Sequence, residues 1–231
     1  LYSEGSMPFT SDGIWLPFTY PPFAALGFAG VGAMPLGLAG LVTSIVTVAL
    51  TVLIVHIFLR VLGVGNTGNR WWIALLMTAG AVWLNPMWMT LGFGQINIIL
   101  MAMIVVDVFV IGRFAGGRAA QAGRRGSGRA TTTLGTAARA TQGVLVGLAA
   151  AIKLTPLVFI GVFLVARRWR AALTALAAFV GAGLIAWVWL PQDSVTYWTH
   201  TLFHTGRIGD PAGRINQNLN ALWIRVVGDG T

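Results

Sequence analysis

The sequence predicts an all-α protein with several membrane-spanning helices. Of its 231 residues, 56% are hydrophobic and 9% are charged, and the mean hydropathy is +0.78. Soluble domains carry roughly 25% charged residues, so this balance is typical of an integral membrane protein. No charged residue lies between Asp12 and Arg60, and the apolar run Leu36–Leu59 is long enough to cross a ~30 Å hydrocarbon core.

Further apolar runs predict the remaining spans. Phe23–Met34 is short and rich in glycine, so we expect it to lie along the interface or to lead into the next span. Residues 23–112 then comprise an interfacial segment and three spans, and 171–190 form another. The predicted spans are Leu36–Leu59, Trp71–Trp88, Ile96–Ile111 and Ala171–Leu190.

The loop over residues 113–142 sets the predicted orientation. It contains six arginines and no acid. Because loops rich in arginine stay on the cytoplasmic side, we expect this loop inside the cell. Residues 1–22, the end of a first outer loop, and residues 191–231, a second outer loop, then lie outside. The net charge of +9 thus reports topology, and we expect no nucleic-acid partner.

Residues 143–166 are predicted to form a broken helical hairpin. A basic loop precedes them and Arg167-Arg168-Trp169-Arg170 follows, so a single crossing would leave one basic cluster outside. A turn near Lys153–Pro156 keeps both clusters inside, with limbs of about 15 Å that must be buried in protein. The single crossing is the alternative.

Lys153 is the chain's one lysine and the first candidate site residue. It stands three residues before Pro156, which removes a backbone donor and breaks the helix. A cation at bilayer depth costs at least ~2.5–3.5 kcal/mol, so it needs a partner or a task. A charge at a helix break is typical of sites that handle anions or ions. The alternative is a snorkelling amine paired with helix-end carbonyls.

The second outer loop carries further candidates. Asn216, Gln217 and Asn220 have amides suited to sugar hydroxyls, and Tyr197 and Trp198 offer aromatic faces. An interfacial helix over 216–226 is the alternative, because its apolar residues have helical spacing. Arg207 and Arg214 suit a phosphate, or else meet lipid headgroups. His200 and His204 have metal spacing but lack a third ligand nearby, so we predict no metal site.

Further candidate site residues lie near the end of the first outer loop and at the start of one helix. Tyr20, in Tyr20-Pro21-Pro22, faces the outer side in this topology, although an extended, purely structural segment is the default for such a sequence. Gln95 and Asn97 lie at an outer helix start, where capping and helix–helix hydrogen bonding compete with substrate binding. The chain has no cysteine, which excludes disulfides, thiolate metal sites and a cysteine nucleophile.

Several strings in this order resemble one family, the polyprenyl-phosphate-mannose-dependent α-(1→2)-mannosyltransferases of actinobacteria, in the membrane glycosyltransferase C superfamily. The lysine-proline string is the most specific of them. The strings are Phe18–Leu26, Gly94–Ile98, Gly147–Leu157, Arg168–Ala171, and Arg207–Gly209 followed by Asn216-Gln217.

The resemblance implies a multi-pass plasma-membrane enzyme that takes mannose from a lipid-linked donor. The acceptor would be an outer-face glycolipid, either a phosphatidylinositol mannoside or a lipomannan. It implies an active site of two outer loops and no cofactor beyond the donor. His204, which lies in the second of these loops, is a further candidate for sugar or acceptor contact. The family's general base is an aspartate that falls before Leu1, and a Ser-Trp-x-His-His stretch falls after Thr231. We therefore expect a fragment that is inactive alone and contains no catalytic residue.

Two other classes remain open at this point. A transporter also builds its site from broken helices, but it predicts inverted repeats, which this sequence does not show. A non-catalytic assembly subunit would tolerate loss of the upstream aspartate. The oligomeric state and the choice between chain extension and branching do not follow from the sequence.

Overall fold

The computed structural model of the chain describes residues 1–2, 18–112, 137–203 and 219–227. Every regular element within these residues is a helix, which confirms the all-α class. The α-helices are α1 (Pro22–Gly32), α2 (Leu36–Val61), α3 (Thr67–Val82), α4 (Asn85–Gly92), α5 (Asn97–Val105), α6 (Val144–Ile152), α7 (Val158–Val165), α8 (Trp169–Trp189), α9 (Pro191–Thr199) and α10 (Leu219–Val227).

Short helical turns extend several of these helices. α5 continues into a π-helix over Val106–Ile111, a 3₁₀ turn over Thr155–Leu157 precedes α7, and another over Thr201–Phe203 follows α9. Residues 137–141 are also helical, so the segment predicted as a loop over 113–142 becomes helical before its end.

Among the described residues, two helices are long and apolar enough to cross a membrane, namely α2 with 26 residues and α8 with 21. Only 22% and 28% of their most apolar windows are buried inside the protein. The rest of this apolar surface contacts no other part of the protein among the described residues. We therefore expect it to contact lipid. Both helices coincide with predicted spans, which supports the membrane class.

The segment predicted as one span over Trp71–Trp88 is not one straight helix. α3 ends at Val82 and α4 begins at Asn85, and the two axes differ by 81°. Pro86 explains the break, because its ring clashes with the carbonyl four residues earlier, at Val82. The pair is either a broken span or a re-entrant loop. The span over Trp71–Trp88 therefore stays a prediction, and Pro86 is the sequence feature that indicates its break.

Two of the predicted apolar segments are shorter than a bilayer core. α1 has 11 residues, and its position at the interface or as a lead-in to the next span stays a prediction. α5 and its π-helical extension cover Asn97–Ile111, or about 22 Å at 1.5 Å per residue. The length alone therefore does not establish this segment as a complete crossing.

The described residues divide into two compact units. In the unit over Phe23–Leu184, α2 packs against α3 and α5. Ile54 and Ile57 of α2 form a buried cluster with Ala102 and Val105 of α5. These contacts between apolar helix faces hold α2 and α5 together. The two helices form the scaffold for the hairpin of α6 and α7.

The chain turns back on itself between α6 and α7. Val146, near the start of α6, and Phe163, near the end of α7, belong to one buried cluster with three alanines at the start of α8. In a continuous helix these two residues would be about 25 Å apart. The base of the hairpin, where α6 begins and α7 ends, therefore lies beside the start of α8. The position of this hairpin in the bilayer stays a prediction.

Candidate functional site

Lys153 lies at the tip of the hairpin. α6 ends at Ile152, whose carbonyl would clash with the ring of Pro156 if the helix continued. Lys153 itself is extended, with φ −146° and ψ 132°, and its backbone N–H donates to the Ala149 carbonyl at 3.0 Å. The break therefore sets the lysine where the two limbs meet.

The side chain of Lys153 is tied to the start of α5. Its Nζ donates to Oδ1 of Asn97 at 3.0 Å, and Nδ2 of Asn97 donates to Oε1 of Gln95 at 2.7 Å. Gly94 supports this arrangement with φ +59°, a left-handed conformation that suits glycine. We call Lys153, Asn97 and Gln95 the tip triad. Candidates predicted from two segments more than fifty residues apart, Lys153 in one and the pair Gln95 and Asn97 in the other, thus form one hydrogen-bonded string.

The tip triad has the chemistry of an anion-binding site. Lys153 and Gln95 are half-buried, and Asn97 is exposed. An ammonium group supplies a positive charge and directed N–H donors, and the amides fix its position and add donors of their own. A cation at the break of an apolar helix can attract a phosphate or carboxylate without a metal ion. The same hydrogen bonds are also expected from the alternative interpretation of Gln95 and Asn97, in which these side chains only link one helix to another.

In the unit formed by Leu1–Pro22 and Ile185–Thr231, two segments distant in sequence meet through aromatic rings. The Tyr2 ring lies 5.8 Å from that of Phe18 and 5.5 Å from that of Tyr197, and its hydroxyl donates to the Tyr20 carbonyl at 2.7 Å. Trp198 packs edge-on against Tyr197 at 5.1 Å. The two segments predicted as outer loops therefore share one aromatic cluster.

Burial divides the aromatic candidates in this cluster. Tyr197 is only 3% exposed, and desolvation raises its pKa to about 12. Burial also raises the pKa of Tyr20, which is half-buried like Trp198. A ring covered on this scale cannot present a face to a sugar without rearrangement, so Tyr197 packs the cluster. Trp198 and Tyr20 are better placed to meet a ligand.

The remaining predicted site residues cannot be placed. Asn220 belongs to α10, but its side chain is outside the description. α10 itself matches the alternative of an interfacial helix, since Leu222, Trp223 and Val226 are exposed. The candidates that lie outside the described residues are His204, Arg207, Arg214, Asn216 and Gln217.

Comparison with known proteins identifies the family. Residues 18–228 match Glycosyltransferase family 87. The chain belongs to this family. No solved structure matches it significantly.

Mycobacterial members of family 87 are similar to the chain along nearly its whole length. One from Mycobacterium tuberculosis is 36% identical over 99% of the chain and one from Mycolicibacterium smegmatis is 34% identical over 98%; both are named polyprenol-phosphate-mannose-dependent alpha-(1-2)-phosphatidylinositol mannoside mannosyltransferase. A second M. smegmatis protein, named for phosphatidylinositol pentamannoside, is 30% identical over 92%. The chain spans 50%, 48% and 45% of these relatives, about half their length.

Asp107 has a structural role that the sequence analysis did not assign. Its side chain is fully buried, and its two carboxylate oxygens accept hydrogen bonds from the backbone N–H groups of Gly143, at 2.7 Å, and Val146, at 3.0 Å. These N–H groups belong to the start of α6, which has no partners for them within the helix. Asp107 therefore caps α6 from the neighbouring π-helix and ties the hairpin to α5.

Small residues bring α6 close to α8. A Cβ on Gly143 would overlap the Ala171 carbonyl oxygen, and a Cβ on Gly147 would overlap that of Ala175. Gly143 also has φ +102°. Small residues four positions apart are visible in the sequence of both segments. This pattern could have predicted the close approach of α6 and α8.

The described residues contain no group of three or more His, Cys, Asp or Glu side chains that could hold a metal ion. His200 lies within them, and its potential partner His204 does not. The ammonium group and the two amides of the tip triad can bind an anion directly.

Proposed function

We propose that the protein to which this chain belongs transfers mannose from polyprenyl-phosphate-mannose to a glycolipid. Membership of family 87 and the names of the mycobacterial relatives support this activity. The acceptor would be a phosphatidylinositol mannoside or a lipomannan. The protein would be a multi-pass component of the plasma membrane, with its active site on the extracytoplasmic face.

The tip triad carries the proposal for this chain. In a lipid-linked donor, the phosphate is the one strongly anionic group, and it lies at the boundary between the prenyl chain and the sugar. Lys153 combines a positive charge with a location at a break between two apolar helices. We assign it to the donor phosphate, with Asn97 and Gln95 holding the ammonium group. Arg207 and Arg214 are proposed as further phosphate ligands.

The proposed reaction is an inverting single displacement. A carboxylate takes the proton of the acceptor hydroxyl, whose oxygen attacks the anomeric carbon of mannose while the bond from that carbon to the phosphate oxygen breaks. The electron pair leaves on the prenyl phosphate, and a β-linked donor gives an α product. The resemblance assigns the carboxylate to residues that precede Leu1. Lys153 stabilises the charge that grows on the leaving phosphate.

Sugar and acceptor contacts are proposed for residues of the two outer segments and of the start of α5. Amide side chains can donate and accept hydrogen bonds at once, which suits hydroxyl groups. Trp198 and Tyr20 are the proposed stacking or hydroxyl contacts, because both are half-buried and neither is enclosed as Tyr197 is. The other proposed contacts are Gln95, Asn97, His204, Asn216, Gln217 and Asn220.

A transfer assay with labelled polyprenyl-phosphate-mannose tests the role of Lys153. In the intact protein, Lys153→Met removes the charge with little change in volume, and we expect a loss of about 10²-fold or more in transfer, as for other preorganised charge stabilisers. Lys153→Arg keeps the charge and should retain part of the rate. Arg60→Met, at the far end of α2, is the matched control. If Lys153→Met transfers as fast as wild type, the assignment to phosphate is wrong.

The proposed orientation has its own test, which the absence of cysteine in this chain makes simple. Single substitutions Ser127→Cys, in the basic loop, and Gln192→Cys, an exposed position in α9, are treated in intact cells with a membrane-impermeant maleimide. We expect labelling of Gln192→Cys alone until the cells are opened. Labelling of Ser127→Cys from outside would contradict the topology while leaving the chemistry open.

A further inference from the structure

A cavity of about 460 Å³ opens at the base of the hairpin, the end opposite Lys153. Its volume falls within the range of small-ligand sites. It lies wholly within the unit Phe23–Leu184. The lining residues are Arg139, Gln142, Arg167, Arg168, Trp169, Arg170 and Ala171.

The lining of this base cavity is strongly basic. Four of its seven residues are arginines and none is an acid. Asp107, the buried carboxylate of the same unit, already accepts hydrogen bonds from the backbone N–H groups of Gly143 and Val146. Four guanidinium groups around one cavity repel one another, so an anion bound there would lower the free energy of the arrangement.

Gln142 is the second indication of a ligand. Its side chain is 5% exposed, and its Nε2 has no hydrogen-bond partner among the described residues. A buried amide donor left without an acceptor destabilises the protein, so a ligand that supplies one is favoured. A Cβ built on Gly112 would lie 2.7 Å from this Nε2 and 2.8 Å from Nη1 of Arg168. Two N–H donors from different segments therefore converge beside Gly112.

The surface next to the cavity is apolar and faces away from the protein. Trp169 is 61% exposed, and Leu173, one turn further along α8, is 66% exposed. α8 is one of the helices long enough to span a membrane, so this face suits an acyl chain. Exposed tryptophan at the end of such a helix is typical of the membrane–water interface. A ligand that combines an anionic head with apolar chains fits both surfaces.

We propose that the base cavity binds the phosphate group of an anionic phospholipid. The arginines provide the bidentate donors that suit phosphate oxygens, and a phosphate oxygen would accept the hydrogen bond that the buried Nε2 of Gln142 can donate. The acyl chains lie along α8. This lipid site is distinct from the proposed donor site at Lys153. The proposal does not depend on whether the protein transfers mannose.

Lipid binding to the purified protein in detergent, followed by native mass spectrometry, tests the proposal. Phosphatidylglycerol is compared with zwitterionic phosphatidylcholine, and inorganic phosphate is added as a competitor at constant ionic strength. We expect one tightly held phosphatidylglycerol, weaker phosphatidylcholine, and no displacement by phosphate. Displacement by inorganic phosphate would overturn the lipid assignment.

Three variants separate a built site from general attraction to basic residues. Gln142→Leu changes no charge, and we expect it to weaken phosphatidylglycerol binding on the order of tenfold, the cost of one hydrogen bond to a charged group. Arg168→Gln with Arg170→Gln should weaken it at least as much. The control pair Arg60→Gln with Arg70→Gln removes the same charge from outside the lining and should leave binding unchanged.

Two results would overturn the inference. One is wild-type binding by Gln142→Leu, because the amide would then make no contact with the lipid. The other is an equal loss in the control pair, which would indicate nonspecific electrostatics. Gln142→Leu replaces a buried amide by an apolar side chain of similar size, so it keeps the test valid even if the double arginine variant fails to fold.

Discussion

The tip and the base of the α6–α7 hairpin are held in different ways. At the tip, Lys153 is positioned by side-chain hydrogen bonds to an exposed asparagine. At the base, backbone groups make the contacts: buried Asp107 accepts from two N–H groups of α6, and Gly143 lies against the Ala171 carbonyl. Backbone contacts in a buried region leave little freedom to adjust, whereas exposed side chains can exchange partners. The base is therefore built for stability, and the tip can respond to a ligand.

This contrast makes a prediction about substitutions. Changes to the buried backbone contacts at the base, those of Gly143 and Asp107, should lower the free energy of unfolding and reduce transfer only through the amount of folded protein. Changes at the tip should lower transfer and leave stability almost unaltered. Four experiments test how the parts of this fold are held, and they are given in order of decreasing expected effect.

Gly143→Ala should give the largest loss of stability. The new Cβ overlaps the Ala171 carbonyl oxygen, and φ +102° is unfavourable for any residue with a Cβ. We expect a loss of about 3 kcal/mol or more, measured by thermal unfolding in detergent. Gly161→Ala is the matched control, because a Cβ there meets nothing within 4 Å. Equal melting temperatures for the two variants would contradict the close approach.

Asp107→Ala should be next in size. It leaves the N–H groups of Gly143 and Val146 without acceptors in a buried region, at a cost of about 1–3 kcal/mol for each group. Asp107→Asn keeps one oxygen acceptor and should lose less. The same thermal unfolding measurement applies. A smaller loss for Asp107→Ala than for Asp107→Asn would show that capping is not the main role of this carboxylate.

Asn97→Ala should act on transfer instead of stability. Asn97 is exposed and holds Nζ of Lys153, so its loss should raise the KM for the lipid donor several-fold, the equivalent of about 1 kcal/mol for one hydrogen bond. Asn85→Ala, also exposed at a helix start, should leave KM unchanged. If Asn97→Ala lowered the melting temperature and left KM unaltered, the tip triad would have a structural role instead of a role in donor binding. The tip would then not differ from the base in the way proposed.

Near neutral pH the smallest expected effect concerns Tyr197, whose titration changes stability only in alkaline solution. Its pKa is raised from 10.0 to about 12 because the buried phenol is desolvated, so the folded state holds this proton more tightly than the unfolded state does. The associated stability is fully present below about pH 10 and is lost as the pH rises towards about 12. Tyr197→Phe should therefore lose less stability than wild type over that interval. Parallel melting curves against pH would contradict the burial of this hydroxyl.

Parts of this structure follow from local pattern. The runs of apolar residues located α2 and α8, the spacing of Leu219, Leu222, Trp223 and Val226 predicted α10, and the Lys153–Pro156 string predicted a break between α6 and α7. The break at Pro86 was equally readable and was missed, because hydropathy alone was applied to Trp71–Trp88.

The sequence by itself determined the membrane class, the helix breaks and the separation of basic from amide-rich segments, because these depend on composition and on proline within a few neighbouring residues. Only the tertiary structure decided which distant side chains meet. The pairing of Lys153 with Asn97, the capping of α6 by Asp107 and the burial of Tyr197 against Tyr2 depend on how helices pack, and packing depends on many weak contacts spread along the chain.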